Sequence, residues 1–389
     1  MNKIKKNYDK SSNFIDFKIN GRLFPSWIAS NFKKYQLDEI NKEKDPCNVD
    51  KEKNNVLKMR PYQEFLTQYF DYKSPYKDIL IYHGVGSGKT GATVNIYNAL
   101  YNYNPEWNVF LLIPASLKND PWLKDIKKWL SKSEYNYRFK NIIFIHYDSP
   151  FAGKDFIDAI RSADSSKKSL FIIEEVHNFI RNVYSNISSS KGKRALTIYD
   201  YIIQQKKDNM DLRVICLSAT PAINNPFELS LLFNLLRPGI FPMSENKFNH
   251  LFVKSSGYTS INNANKNLFQ RRIMGLVSYY IGATPDYYAE KTVHYVDVIM
   301  SDYQKNIYSN LEDIEAMLSY KSKGKGGSQV YKSYTRQASN FVFPYITQNI
   351  NGDNRPRPNK FRISEREALA IEEEKNKLKK DKKSEKILN

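Results

Sequence analysis

The residues with the clearest chemical potential lie at 83–90, where the chain reads HGVGSGKT. Three glycines let the backbone turn tightly, so that successive N–H groups can point at phosphate oxygens. The lysine can reach the outer phosphates, and the threonine hydroxyl can bind Mg²⁺. The spacing predicts a triphosphate-binding loop formed by Gly84, Gly86, Ser87, Gly88, Lys89 and Thr90. The alternative is a glycine-rich turn with an incidental lysine.

Two adjacent acids form the second candidate site, in the sequence FIIEEVH at 171–177. Carboxylates at the end of a buried strand are costly unless a cation accompanies them. We therefore expect Glu174 to hold Mg²⁺. We expect Glu175 to orient the attacking water or accept its proton, and His177 to contact the next motif. The alternative is the start of a solvated loop.

Small hydroxyl residues form the third candidate site, in the sequence CLSATP at 216–221. We predict that Ser218 and Thr220 couple the two acids to whatever the protein moves. The triplet is common and indicates little by itself.

Each of these three segments directly follows a short apolar run, and such runs alternate along the chain with segments of helical period. The predicted strands are 79–81, 109–113, 142–145, 170–173 and 214–217, and the predicted helices are 89–103, 117–130, 153–162, 195–206 and 226–236. The alternation predicts an α/β fold with a parallel β-sheet and helices on both faces. Ligands of such sheets bind at the carboxyl ends of the strands, where the three motifs lie.

Composition narrows the possible partners of the 389-residue chain. A net charge of +19 favours a polyanion such as nucleic acid, and a solvated lysine surface is the alternative. No window approaches 18 consecutive apolar residues and the start of the chain has no apolar signal region, so we expect an intracellular protein without a membrane partner. Two distant cysteines, Cys47 and Cys216, exclude a disulfide framework.

The order of the motifs resembles that of superfamily 2 helicases and translocases, especially the Swi/Snf-like branch and large-DNA-virus relatives such as the poxvirus nucleoside triphosphatase I and early transcription factor ATPases. His83 departs from the glycine of the general phosphate-loop pattern, but the shorter form G-x-G-K-T is usual in helicase-type ATPases. Further similar segments are MRPYQ at 59–63, IPASLKNDPW at 113–122, LLRPGIF at 235–241, MSDYQKNIY at 300–308 and TRQASNFVFP at 335–344.

The resemblance implies a RecA-like P-loop domain with ATP and Mg²⁺ as cofactors. It implies that Gln63 contacts adenine and that Ser116 and Lys118 contact nucleic acid, with DNA favoured over RNA. It also implies a role in viral transcription or DNA remodelling, with viral RNA polymerase or transcription factor subunits as partners, in the host cytoplasm or the virion. The basic segment 181–194 is predicted to be a loop, either touching nucleic acid or simply solvated.

Four segments are expected: an N-terminal extension (1–56), a RecA-like ATP-binding lobe (57–240), a helical or mixed extension of that lobe (241–320), and a basic interlobe connector with a charged tail (321–389). Residues 316–362 carry nine Lys or Arg against one acid, which suits either a linker or single-strand binding. The resemblance implies a second lobe with an arginine finger, which this sequence lacks. We therefore expect weak or no hydrolysis by this chain. A single-lobe module that binds nucleic acid or a polymerase without turnover is the alternative.

Overall fold

The computed structural model describes residues 18–19, 22–37, 58–187, 193–208, 211–221, 225–256, 258–280, 292–323 and 333–342. The chain forms two compact units, Met1–Thr292 and Val293–Asn389. Within these described ranges, no helix is long and apolar enough to cross a membrane.

A six-stranded, entirely parallel sheet organises the first unit. The described strands, in chain order, are β1 (Lys18–Ile19), β2 (Arg22–Leu23), β3 (Asp78–His83), β4 (Trp107–Ile113), β5 (Ile142–His146), β6 (Lys168–Ile173), β7 (Leu212–Ser218), β8 (Val253–Ser256), β9 (Tyr258–Ile261) and β10 (Val277–Tyr280). The order across the sheet is β10-β3-β7-β6-β4-β5, and β1-β2 and β8-β9 form separate hairpin pairs.

Helices cover both faces of this sheet, as the sequence predicts. The described α-helices are α1 (Phe24–Asn31), α2 (Pro61–Tyr69), α3 (Lys89–Tyr103), α4 (Lys124–Trp129), α5 (Lys132–Arg138), α6 (Ala152–Ser162), α7 (Val176–Ile187), α8 (Arg194–Lys207), α9 (Phe227–Leu236), α10 (Glu245–Phe252), α11 (Lys266–Ile273), α12 (Asp302–Lys323) and α13 (Ser333–Asn340).

Two hydrophobic clusters sandwich the sheet because successive strand side chains point to opposite faces. Along β4, Phe110 belongs to the cluster that contains α6 to α9, whereas Val109 and Leu111 belong to the cluster that contains α2 and α3. Every residue of β7 is buried. Strands covered on both faces read as continuous apolar runs, and those runs were the signal in the sequence.

An aromatic cluster attaches the N-terminal segment to α2. Phe32 packs edge-on against Phe65 with ring centroids 5.0 Å apart, and Trp27 lies 5.7 Å from Tyr76. The apolar side chains of this N-terminal segment thus pack against the hydrophobic cluster that contains α2, the helix that precedes β3.

The second unit is described only in part. Within it, α12 and α13 pack together, because the Gln304 side chain donates to the Ala338 carbonyl at 2.9 Å and the Thr335 hydroxyl donates to the Glu315 carboxylate at 2.7 Å. Helix α12 continues to Lys323, inside the connector predicted at 321–389. Residues 324–332 of that connector, and the charged tail from 343 onward, lie outside the described residues.

The structure corrects two sequence expectations. The predicted loop 181–194 is wrong over 181–187, which belong to α7, and α8 already begins at Arg194. Helix α7 forms because Val176, Phe179, Ile180 and Val183 share one buried face. The sequence prediction also omitted β10, which comes from the segment 241–320 and pairs with β3 at the sheet edge.

Candidate functional site

The three motifs come together at the carboxyl ends of the strands because β7 lies between β3 and β6 in the sheet. The glycine loop follows β3, the hydroxyl motif follows β7, and the two acids follow β6. Neighbouring strands lie about 4.8 Å apart, so the glycine loop and the acids leave the sheet about 10 Å from one another. The structure thus places the predicted groups side by side at the carboxyl ends of three adjacent strands.

The glycine loop has the backbone geometry that its sequence predicts. Gly86 and Gly88 both adopt φ 76°, in the left-handed region, and Gly88 caps the N-terminus of α3. The Ser87 hydroxyl donates to the Gly84 carbonyl at 2.8 Å and closes the turn. Lys89 lies at the start of α3, and its ammonium donates to the His83 and Gly84 carbonyls at 3.1 and 3.3 Å. These carbonyls hold the ammonium at the loop, where a phosphate could replace them as its partner.

Helix α2 supports the loop from behind. The Tyr62 hydroxyl donates to the Ser87 carbonyl at 2.8 Å, and the Gln63 side-chain amide donates to the Ser87 and Gly88 carbonyls, both at 3.2 Å. Gln63 also accepts from the Arg60 backbone N–H at 2.9 Å. Gln63 is therefore built into the loop support, and its predicted contact with adenine stays a prediction.

His83 is buried beneath the loop. Its Nε2 lies 2.9 Å from the Ser278 hydroxyl of β10, and its ring packs edge-on between Tyr62 and Tyr280. Burial, and secondarily the positive charge of Lys89, lower the pKa of His83 to about 4. The imidazole is thus neutral at neutral pH. At the position where the general pattern has glycine, this chain has a packed side chain.

Glu174 is buried at the end of β6. One of its carboxylate oxygens accepts from the indole N–H of Trp122 at 3.1 Å. Burial, and then the neighbouring charge of Glu175, raise the pKa of Glu174 to about 7, whereas Lys89 lowers that pKa. Because Lys89 influences Glu174, the glycine loop and the acids lie within electrostatic reach of each other.

Glu175 joins the acid pair to the hydroxyl motif. Its carboxylate lies 3.2 Å from Nδ1 of His177, and the same nitrogen lies 2.9 Å from the Ser218 hydroxyl. Ser218 is fully buried and also accepts from the Thr220 backbone N–H at 2.9 Å. The side chain of Thr220 is exposed, so the described contacts to the acids run through Ser218. Burial lowers the pKa of His177.

A buried tyrosine holds the backbone of the acid pair. The Tyr147 hydroxyl, from the segment after β5, donates to the carbonyls of Glu174 and Glu175 at 3.0 and 3.2 Å. Sequence reasoning missed both Tyr147 and Trp122. Trp122 lies within the segment 113–122 that carried the resemblance, but no spacing rule connects either aromatic to the acids.

The donor set fits a magnesium-bound triphosphate. The left-handed glycines Gly86 and Gly88 are exposed, so their N–H groups are open to a ligand. Glu174 is a buried acid with an oxygen donor suited to Mg²⁺. Among the described residues no three His, Cys, Asp or Glu side chains form a metal cluster.

The predicted nucleic-acid residues lie after β4. Ser116 is exposed in a short 3₁₀ turn, Ala115–Leu117, and Lys118 begins the next segment, Lys118–Leu123, which is kinked at the extended residue Asp120. The Lys118 ammonium lies 5.0 Å from the centroid of the Phe144 ring. Trp122 lies in the same segment as Lys118, and its indole N–H donates to Glu174.

Two family models match the chain. One describes the res subunit of type III restriction enzymes and matches residues 56–223, and the other describes the SNF2-related domain and matches residues 187–345. Together they span all three motifs of the site.

Individual relatives agree with these models. The protein R350 of Acanthamoeba polyphaga mimivirus, whose name describes an ATP-dependent RNA helicase, is 53% identical over 94% of this chain and 46% of its own length. Nucleoside triphosphatase I of Amsacta moorei entomopoxvirus is 30% identical over 75% of this chain and 43% of its own. The chain therefore spans about half the length of these curated relatives.

Among solved structures, the SWI2/SNF2 ATPase core of Sulfolobus solfataricus in complex with dsDNA is similar at 18% identity and a TM-score of 0.43, over 72% of this chain and 58% of that one. On the family models, the viral relatives and the order of the motifs, the chain belongs to superfamily 2 of helicases and translocases and carries an SNF2-related domain.

Proposed function

We propose that the chain binds ATP with Mg²⁺ and forms the catalytic lobe of a nucleic-acid-dependent ATPase. The observation that supports this most directly is the convergence of Lys89, Glu174 and Glu175 at the ends of strands separated only by β7. The carbonyl partners of Lys89 hold its ammonium at the loop, ready for the outer phosphates.

In this proposal each residue has one task. The N–H groups around Gly84, Gly86, Ser87 and Gly88 bind phosphate oxygens. Thr90 and Glu174 would hold Mg²⁺, which neutralises charge on the phosphates. Glu175 orients the attacking water or accepts its proton. The contact of His177 with Ser218 couples the acid pair to the end of β7.

Nucleic acid is the proposed partner. The net charge of +19 favours a polyanion. Lys118 lies on the segment that also contains Trp122, and Ser116 lies in the turn directly before that segment. We propose DNA ahead of RNA, and viral polymerase or transcription factor subunits as further partners. Because the matched relatives are viral, we propose the host cytoplasm or the virion as the place of action.

Steady-state ATP hydrolysis with and without DNA or RNA tests the proposal. We expect Lys89→Ala to lose nucleotide affinity, because the ammonium contacts the phosphates. We expect Glu175→Gln to keep that affinity but to lose about 10²- to 10⁴-fold in turnover, the usual value of a positioned base. Nucleic-acid-stimulated turnover that survives both substitutions would refute the proposal.

A second candidate function is nucleotide-gated binding of nucleic acid without turnover. The observation that favours it is the engagement of Glu174, which is buried and accepts a hydrogen bond from Trp122 instead of lying open. Under this alternative, ATP changes the affinity for DNA while hydrolysis stays at background. Measuring DNA affinity with and without ATP, alongside phosphate release, separates the two.

A further inference from the structure

We infer that Tyr147 is a positioning residue for the proposed reaction: its hydroxyl holds the left-handed turn at Glu175, so that the Glu175 carboxylate stays beside His177. The inference rests on the proposed function, because Glu175 is there the group that orients or deprotonates water. The Tyr147 hydroxyl bonds the backbone carbonyls of the two acids, so Tyr147 acts through them.

The turn at Glu175 needs an external support. Its φ of 46° makes it the one non-glycine residue with positive φ among those that the structure describes. Such a conformation costs about 1 to 3 kcal/mol and persists only when surrounding contacts impose it. The turn comes directly after β6 and directly before α7, so the strain lies between two rigid elements.

Tyr147 provides that support from a different strand exit. Its hydroxyl reaches two consecutive carbonyls, those of Glu174 and Glu175, because the left-handed residue turns both toward the same side. The side chain is 2% exposed, and its ring packs edge-on against Phe179 of α7 with centroids 5.6 Å apart. Both ends of the side chain are therefore fixed, one by the core and one by the turn.

The held turn determines where the Glu175 carboxylate lies. The Asn178 N–H also donates to the Glu175 carbonyl, at 2.8 Å, but this bond belongs to the start of α7 itself and moves with it. Tyr147 instead connects the turn to the segment after β5. Rotation of this peptide would carry the carboxylate away from the nitrogen of His177, 3.2 Å from it, and hence from Ser218.

A matched pair of tyrosine variants tests the inference. Tyr199 is likewise buried, and its hydroxyl donates to the Leu231 carbonyl at 2.9 Å in the packing of α8 against α9. Tyr147→Phe and Tyr199→Phe each remove one buried hydroxyl and leave the ring. We expect Tyr147→Phe to lower kcat of ATP hydrolysis about 10-fold with KM changed less than about 2-fold, because small misplacement of a reacting group is costly. Tyr199→Phe should leave both constants within about 2-fold.

Amide hydrogen exchange at Asn178 gives a readout that needs no turnover. We expect its exchange to become about 10-fold faster in Tyr147→Phe and to be unchanged in Tyr199→Phe, because only the first variant loosens the carbonyl that this N–H bonds. Equal effects of the two variants on kcat, or unchanged exchange at Asn178, would overturn the inference. Absence of Lys89-dependent turnover in the wild-type chain would instead refute the proposed function, and the exchange result would still decide whether Tyr147 holds the turn.

Discussion

Two strand-to-helix connections meet at the candidate site, and they solve the same backbone problem differently. Both the glycine loop after β3 and the acid turn after β6 enter a helix through left-handed residues. The loop uses Gly86 and Gly88, whereas the turn uses Glu175. In the loop that is proposed to bind phosphate through its backbone, glycine adopts the left-handed conformation without strain. In the acid turn the backbone of Glu175 is strained, and the turn retains a carboxylate.

The two connections also differ in what supports them. Helix α2 holds the glycine loop through Tyr62 and Gln63, which donate to loop carbonyls. The acid turn is held by Trp122 and Tyr147, which come from the segments after β4 and β5. Each connection thus depends on side chains that are distant from it in sequence.

Gly88→Ala should have the largest effect, because the new methyl meets both a strained backbone and a neighbour. A Cβ at Gly88 would lie 2.5 Å from the Gln63 amide nitrogen, at φ 76°. We expect nucleotide affinity to fall about 100-fold or more and the free energy of unfolding to fall by about 3 kcal/mol, from strain plus overpacking. Nucleotide titration and urea unfolding measure both.

Gly239→Ala is the control for that variant, since Gly239 has φ 82° but, in the described part of the chain, no atom lies within 4 Å of an added Cβ. It should show the strain cost alone, about 1 kcal/mol, with nucleotide affinity unchanged. Equal losses of stability in the two alanine variants would show that the contact with Gln63 does not matter.

The glycine loop should also make stability depend on pH through His83. Its pKa is about 4 in the folded chain and about 6.5 when unfolded, mainly because of burial. The stabilisation is fully present above pH 6.5 and is lost as the pH falls toward 4, since only the unfolded chain binds the proton in that window. Urea unfolding should show a loss of about 2 kcal/mol between pH 7 and pH 5. His83→Asn should remove this part of the slope; an unchanged slope would contradict it.

For the acid turn, Trp122→Phe should be more costly than a matched core substitution. Trp107 is as deeply buried, but its indole N–H has no hydrogen-bond partner among the residues that the structure describes, whereas that of Trp122 donates to Glu174. Both variants lose similar packing. We expect Trp122→Phe to lower the free energy of unfolding by about 1.5 kcal/mol more than Trp107→Phe, because the substitution leaves the buried Glu174 oxygen without this donor. Equal losses would show that the indole contributes only packing.

The smallest expected effect isolates the strain at Glu175. Glu175→Gln and Glu175→Gly both remove the carboxylate, but only glycine adopts positive φ without cost. We expect the glycine variant to be more stable than the glutamine variant by about 1 kcal/mol, with both impaired in turnover. Thermal unfolding compares them, and a glycine variant that is less stable than the glutamine variant would mean that the turn carries no strain.

The sequence predicted the parts of this comparison that depend on local pattern. Apolar runs identified five strands of the sheet, and the glycine spacing identified the loop that follows β3. Strand β10 was not predicted because its four residues are partly or fully exposed at the sheet edge and form no apolar run. Its partner β3 also lies about 200 residues earlier in the chain. The end of α7 was hidden by the polar residues around Ser185, although its buried positions follow helical spacing.

The supports of the site could not be predicted in the same way. Trp122, Tyr147 and Tyr62 are brought to the motifs by strand order, and no spacing along the chain encodes that proximity. The left-handed conformation of Glu175 was equally invisible, because a glutamate gives no sign of positive φ. The candidate site residues could thus be predicted from residue types and spacing, whereas the side chains that hold them in position could be identified only from the fold.

The pairing of β10 with β3 limits where the protein can be truncated without unpairing the central sheet. The Leu80 N–H donates to the Leu276 carbonyl at 2.7 Å, and the Gly84 N–H donates to the Tyr280 carbonyl at 2.8 Å. A protein fragment that stops at residue 240 would strip these partners from the strand that leads into the glycine loop. Unpaired strand edges can pair with other chains, so such a fragment should aggregate more readily than one that extends through Tyr280 and keeps β3 paired with β10.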